Sequence, residues 1–142
     1  MSKAATPADA VQHIQSGMNV FVHGAAATPV DLLNALSERD DLHGVTLFHL
    51  HTEGTDSFVA PAQEGRLRSC SFFVGPAVRR AIEEGRADYV PVFLSEIPHL
   101  LYSGRVKLDA ALLTLSPADR HGLHTLGTSV DVARAAVDVA PL

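Results

Sequence analysis

Asn19-Val20-Phe21-Val22-His23-Gly24-Ala25-Ala26-Ala27-Thr28-Pro29 is the stretch on which the reading of this chain turns. Val20-Phe21-Val22 is a short apolar run bounded by Asn19 and Gly24, the pattern of a strand buried on both faces. Thr28-Pro29 is a helix start, and Leu32, Leu33 and Leu36 continue it as one apolar stripe. Between strand and helix lie only Gly and Ala. Side chains that small let a backbone approach a ligand closely, and the helix start behind them carries unpaired N–H groups. Neither a Gly-Lys-Ser/Thr ending nor a G-x-G-x-x-G motif is present, which excludes the common nucleotide loops.

The same alternation continues on both sides. Thr6-Pro7 reads as an N-cap and first helical residue, with Asp9 in the first turn and Gly17 as the stop; Val11 and Ile14 face inward. Val45 to His51 reads as a strand. Thr52 to Arg66 is a long irregular segment, and loops of that length in small domains are more often functional than incidental. Ser71-Phe72-Phe73-Val74 reads as a third strand, and Pro76 opens a helix that ends near Gly85. Tyr89 to Phe93 reads as a strand that Pro91 confines to an edge or an end. Ser95 then caps a short helical turn. Asp109 to Leu115 is the last expected strand, and Ala118 to Gly122 form a turn. Strands alternating with helices predict an α/β fold around a largely parallel sheet.

A final helix, capped by Ser129, is expected from Val130 to about Val139. Its Val and Ala residues leave almost no polar face, so it needs cover on more than one side. After Pro141-Leu142 no sequence remains to supply that cover. Self-association, or membership of a larger protein, is the expectation.

Composition narrows the class. The 142 residues are 46% hydrophobic and 19% charged, which suits one globular domain and excludes disorder. A net charge of -5 with no basic run argues against nucleic acid and anionic membrane surfaces as partners. Met1 to Pro7 lack the apolar core of a signal peptide, no run reaches membrane-spanning length, and Cys70 is the only cysteine. A cytoplasmic protein is expected, with Cys70 buried and inert.

Candidate chemistry is sparse. His49 and His51 alternate along a strand and could meet one metal ion, as in a small metal hydrolase, but a catalytic zinc site needs a third protein ligand and none is close in sequence. No metal site is expected. Glu53 and Glu96 are the exposed carboxylates nearest the special loops; solvation, or a helix dipole, accounts for each. Arg80 can pair with Glu84 along its helix. No G-x-S-x-G elbow marks a serine nucleophile.

Taken in order, several segments carry a resemblance: His23 to Pro29, Phe72-Phe73-Val74-Gly75, Arg79, Gly85 to Pro91, Ser95-Glu96-Ile97-Pro98, Ser116-Pro117, Asp119, Gly122, Leu126-Gly127 and Ser129-Val130-Asp131. From Gly17 to Val139 the chain resembles the N-terminal domain of the acetyl-CoA hydrolase/transferase family of coenzyme A transferases. One departure is Leu123, where the family usually has an aromatic residue.

The resemblance implies a three-layer α/β sandwich of the coenzyme A transferase type. It also implies transfer of coenzyme A between an acyl-CoA and acetate or a related carboxylate, or acetyl-CoA hydrolysis. Coenzyme A is then a substrate, and no resident cofactor is expected. A glutamate nucleophile attacks the thioester in this family. It lies in a C-terminal half that these residues do not match, so no catalytic residue is assigned here. The implied partners are acyl-CoA, a small carboxylate, and either that other half or a second copy. Substrate-binding positions carried over are Gly24, Ala25, Ala26 and Ala27 through backbone N–H groups, Glu53 and Gly54, and a second wall of Ser95, Glu96 and Pro98. Ser116 to Gly122 would form a third. A non-catalytic domain that folds and associates without turnover is the alternative.

Overall fold

The computed structural model describes residues 6–142. The signal-peptide reading of Met1 to Pro7 falls largely outside them. Ten regular elements follow in order: α1 (Pro7–Val11), β1 (Asn19–Val22), α2 (Val30–Ser37), β2 (Val45–His49), β3 (Leu67–Ser71), α3 (Pro76–Glu83), β4 (Asp88–Tyr89), α4 (Ile97–Tyr102), β5 (Ala110–Leu112) and α5 (Ala133–Val139). Their strands form one sheet in the order β4-β3-β2-β1-β5, and every pairing is parallel.

A parallel sheet needs cover on both faces, and each face has its own core. Val20, Val22, Leu33, Leu36, Leu47, Phe58 and Val78 pack on one side, where α1, α2 and α3 lie. Phe21, Leu50, Phe72, Ile97, Leu101, Val132 and Ala133 pack on the other, beneath α4 and α5. The three-layer α/β sandwich is therefore present. Successive residues of β1 divide between the two cores because strand side chains alternate.

Local chemistry explains most boundaries. Thr6 and Asp9 make a capping box: the Asp9 N–H donates to the Thr6 hydroxyl, and the Thr6 N–H to the Asp9 carboxylate, both at 3.1 Å. Pro76 occupies the first position of α3, and Gly85 (φ 76°) follows its end. Pro91 lacks an N–H, and β4 stops before it at the sheet edge. On the opposite edge the Ala111 N–H donates to the Leu142 carbonyl (2.8 Å).

Four sequence readings are corrected. α1 ends at Val11, well before Gly17, whose N–H instead donates to the His43 carbonyl in a turn. β3 is Leu67–Ser71 rather than Ser71 to Val74. It escapes an apolar scan because Ser69 and Ser71 are buried polar residues, while Arg68 points outward to a bidentate pair with Asp88 (2.5 and 2.7 Å). Ser95 is inside a 3₁₀ turn (Leu94–Glu96) that leads into α4, and it caps nothing. α5 begins at Ala133, not Val130. The Asp131 carboxylate, rather than Ser129, accepts the Val132 and Ala133 N–H groups.

α5 is also less bare than its composition suggests. Ala133, Ala135 and Ala136 are buried in the core that includes Ile97 and Leu101 of α4, while Arg134 and Asp138 pair at 2.9 Å on the outer face. Cover comes from within the domain. Cys70 is buried as expected, and burial pushes its thiol pKa up.

Phe21 is fully buried where the sheet meets α4 and α5. Phe21→Ala is expected to destabilise the fold by about 3–5 kcal/mol, measured by urea unfolding, because the cavity lies beneath two helices.

Candidate functional site

The chain leaves β1 towards β2 on one side, and β5 lies on the other. Ligands of open parallel sheets bind at the carboxyl ends of the strands near such a reversal. The loop from His23 to Thr28 leaves β1 at that place, and His51 to Gly54 leave β2 beside it.

The two loops are tied together. The parallel register that pairs Phe21 with Phe48 continues past the strands, so Ala25 bridges Thr52. The Ala25 N–H donates to the His51 carbonyl at 2.9 Å. The Thr28 hydroxyl donates to the Ala25 carbonyl (2.8 Å) and accepts the Glu53 N–H (3.1 Å). Close approach explains the glycines here. A Cβ on Gly24 would stand 2.8 Å from the His51 oxygen, and one on Gly54 2.9 Å from the Val30 side chain. Ala25 takes φ 50°, a left-handed conformation that costs a non-glycine residue about 1 kcal/mol.

These bonds revise the expectation that Gly24 to Ala27 all present N–H groups. The Ala25 N–H belongs to His51, and the Ala27 N–H donates to the Gly24 carbonyl (3.1 Å). Gly24 and Ala26 remain: among the described residues neither N–H has a partner, but Gly24 is buried and Ala26 is exposed. Glu53 and Gly54 are exposed beside it. Ser95 and Glu96 are exposed on the turn before α4, and Pro98 is half-buried in that helix's first turn. No hydrogen bond among the described residues joins any of these three to the Gly24 loop. Ser116 to Gly122 form an exposed turn in which the Asp119 carboxylate accepts the His121 and Leu123 N–H groups at 2.8 and 2.9 Å.

His49 is a core residue. Its Nε2 lies 2.7 Å from the Ser69 hydroxyl and its Nδ1 meets the Leu50 carbonyl, so both ring nitrogens are occupied. Burial lowers its pKa to about 4. His51 stands edge-on to Phe73, with ring centroids 5.6 Å apart. Among the described residues, no three of His, Cys, Asp and Glu gather as a metal site. No helix of the described residues is long and apolar enough to cross a membrane.

Two residues escaped the sequence reading as individuals. His23 is fully buried, donates from Nε2 to the Ser129 carbonyl (2.5 Å), and leaves Nδ1 without a partner. Asp131 takes φ 31° and reaches towards Gly24. Together they hold the Ser129–Asp131 turn against the loop. A histidine directly before the glycine was the only available signal.

The profile described as the acetyl-CoA hydrolase/transferase N-terminal domain matches residues 1–142. The chain is 50% identical over 130 residues to a succinyl-CoA:acetate/propanoyl-CoA:succinate CoA transferase of Fasciola hepatica, covering 89% of this chain and 27% of that protein. It is 33% identical over 141 residues to a 4-hydroxybutyrate coenzyme A transferase of Clostridium kluyveri, covering 99% and 33%. The crystal structure of RipA from Yersinia pestis superimposes with a TM-score of 0.85 at 30% identity, covering 96% of this chain and 34% of that one. This chain thus spans about a quarter to a third of the length of these relatives.

Two outcomes follow from the geometry. Gly24→Ala should cost about 1–3 kcal/mol in thermal or urea unfolding, since its methyl group would drive the His51 carbonyl off the Ala25 N–H. His49 should give a distinct acid dependence. Below pH 6.5 its unfolded counterpart takes up a proton, while the folded imidazole stays neutral to about pH 4. Stability is therefore lost as pH falls through that window, by roughly 3 kcal/mol from this residue. Unfolding of the wild type and of His49→Gln across pH 4–7 checks this; the variant should lack that part of the slope.

Proposed function

The chain belongs to the acetyl-CoA hydrolase/transferase family, as its N-terminal domain, and on that premise we propose that it serves the transfer of coenzyme A from an acyl-CoA to acetate or a related small carboxylate. The observation that supports this reading is the free Ala26 N–H, held at the sheet's carboxyl edge by a loop whose neighbouring amides are already bonded. A fixed donor with no protein partner favours an oxygen on which negative charge develops. Both the acyl carbonyl and the incoming carboxylate present such an oxygen.

In this scheme a glutamate carboxylate attacks the thioester carbonyl, coenzyme A leaves as the thiolate, and a mixed anhydride remains. The thiolate then attacks the enzyme's acyl carbon of that anhydride, releasing the new carboxylate and leaving a glutamyl thioester. Reversal with acetate regenerates the glutamate. The nucleophile is assigned to sequence other than these 142 residues, and the present chain contributes the Ala26 donor and the wall made by Glu53 and Gly54. Coenzyme A is a substrate here, not a resident cofactor.

Titrating isotope-labelled chain with acetate tests the reading directly. The Ala26 amide resonance should move saturably. In Ala26→Val, whose branched side chain crowds the approach, that response should be lost while the melting temperature stays near wild type. Joined to the catalytic half, the same substitution should lower turnover about a hundredfold, the usual cost of one oxyanion donor. An Ala26 amide indifferent to acetate, or full turnover by Ala26→Val, would return the loop to a plain strand–helix turn.

A further inference from the structure

Three histidines stand where β1 and β2 reach the carboxyl edge of the sheet. His23 and His49 are sealed in the core at 0% exposure. His51 is different. It is half-buried, and among the described residues neither ring nitrogen has a hydrogen-bond partner. Nor is either of them among the buried polar atoms left without one, so both are open to a ligand.

The ring is nevertheless held in place. Phe73 meets it edge-on, with centroids 5.6 Å apart and planes at 65°. Gly75 packs against its stem. The Gly75 backbone has φ -85°, which any residue adopts, so conformation does not explain that glycine. Space does: a Cβ there would stand 3.0 Å from the His51 Cβ and 3.6 Å from its Cα. The fold thus makes room for an imidazole whose nitrogens bond to nothing within it. A side chain locked by packing, with a free donor and a free acceptor, is preorganised for a polar ligand.

Position indicates which ligand. β2 lies between β1 and β3, so His51 stands with the Gly24 loop on one side and Phe73 on the other. Its own carbonyl holds Ala25, the residue before the exposed Ala26 N–H, and neighbouring strands run about 4.8 Å apart. A carboxylate has two oxygens, and the Ala26 N–H can take only one. Glu53, exposed two residues on, opposes an anion, which makes a single amide a poor hold. We propose that His51 is a second carboxylate-binding residue at this edge, its imidazole N–H donating to the oxygen that Ala26 leaves free. The inference rests on the reading of a small carboxylate as substrate.

Acetate, titrated at constant pH into the labelled chain, is the probe. The ring nitrogen resonances of His51 and the Ala26 amide should move along one saturation curve. His51→Phe keeps an aromatic ring against Phe73 and removes both nitrogens. It should melt near the wild-type temperature, yet weaken the acetate response at Ala26 at least about fivefold, the equivalent of one hydrogen bond. His51→Gln, which returns a donor, should recover part of that loss. Gly75→Ala should also weaken binding, because it displaces the histidine without altering it. Ring nitrogens indifferent to acetate while Ala26 responds would overturn the proposal and leave the loop its role. So would undiminished binding by His51→Phe, whatever its melting temperature. Silence at both positions would remove the two roles together. A His51 response beside a silent Ala26 would uphold the imidazole as the carboxylate's partner and defeat the role given to the loop.

Discussion

One parallel hydrogen bond, from the Ala25 N–H to the His51 carbonyl, organises the carboxyl edge of the sheet in this domain. It carries the register of β1 and β2 beyond the strands, so two loops behave as an extension of the sheet. Gly24 has no side chain because His51 approaches there; Ala25 is strained because the chain must turn directly afterwards; Thr28 closes the turn by bonding both loops. The exposed N–H left over, that of Ala26, is positioned between the bonded amides of Ala25 and Ala27. Rigidity of this kind is what a binding site on a loop requires, since a donor that must reorganise on binding loses much of its advantage.

The two cores lie on the faces of the sheet rather than at that edge. Val20 and Val22 commit one face of β1 to α2 and its neighbours, and Phe21 commits the other to α4 and α5. Polar groups buried within the sheet are matched in place: His49 spans Ser69 and the Leu50 carbonyl, and the Ser71 hydroxyl reaches the Phe73 carbonyl. The unmatched ones are informative by contrast. Among the described residues three buried side-chain polar atoms lack partners, and two of them, His23 Nδ1 and Thr52 Oγ1, belong to the segments joined by the Ala25–Thr52 bridge.

How much of this was readable beforehand depended on which physical signal each residue emits. β1, β2, α2 and α3 announce themselves through apolar runs and proline starts, and the edge position of β4 followed from Pro91. β3 did not, because its buried serines hide among polar residues and its outward arginine is neutralised by a strand distant in sequence. The bounds of α5 were obscured because Asp131, not Ser129, makes the cap. Small residues after β1 marked the loop as a place where a ligand could approach closely; in the fold it is the His51 carbonyl that approaches Gly24. Which of its N–H groups stays free was not legible, since that is decided by bonds to residues 51 and 24 that appear only on folding.

The two margins of the sheet bear on a different question, the behaviour of the chain at high concentration. Exposed strand edges invite other copies to add on by backbone pairing, the route into fibrils. Here β4 offers only Asp88 and Tyr89 before a residue that cannot donate, and it carries a charged pair on its surface. On the far margin the Leu142 carbonyl already occupies Ala111. Neither margin offers the long, flat, unpaired ladder on which polymerisation nucleates. Exposed apolar residues such as Phe73 and Phe93 lie outside the strands, so the stickiest side chains and the backbone templates are not combined in one strand.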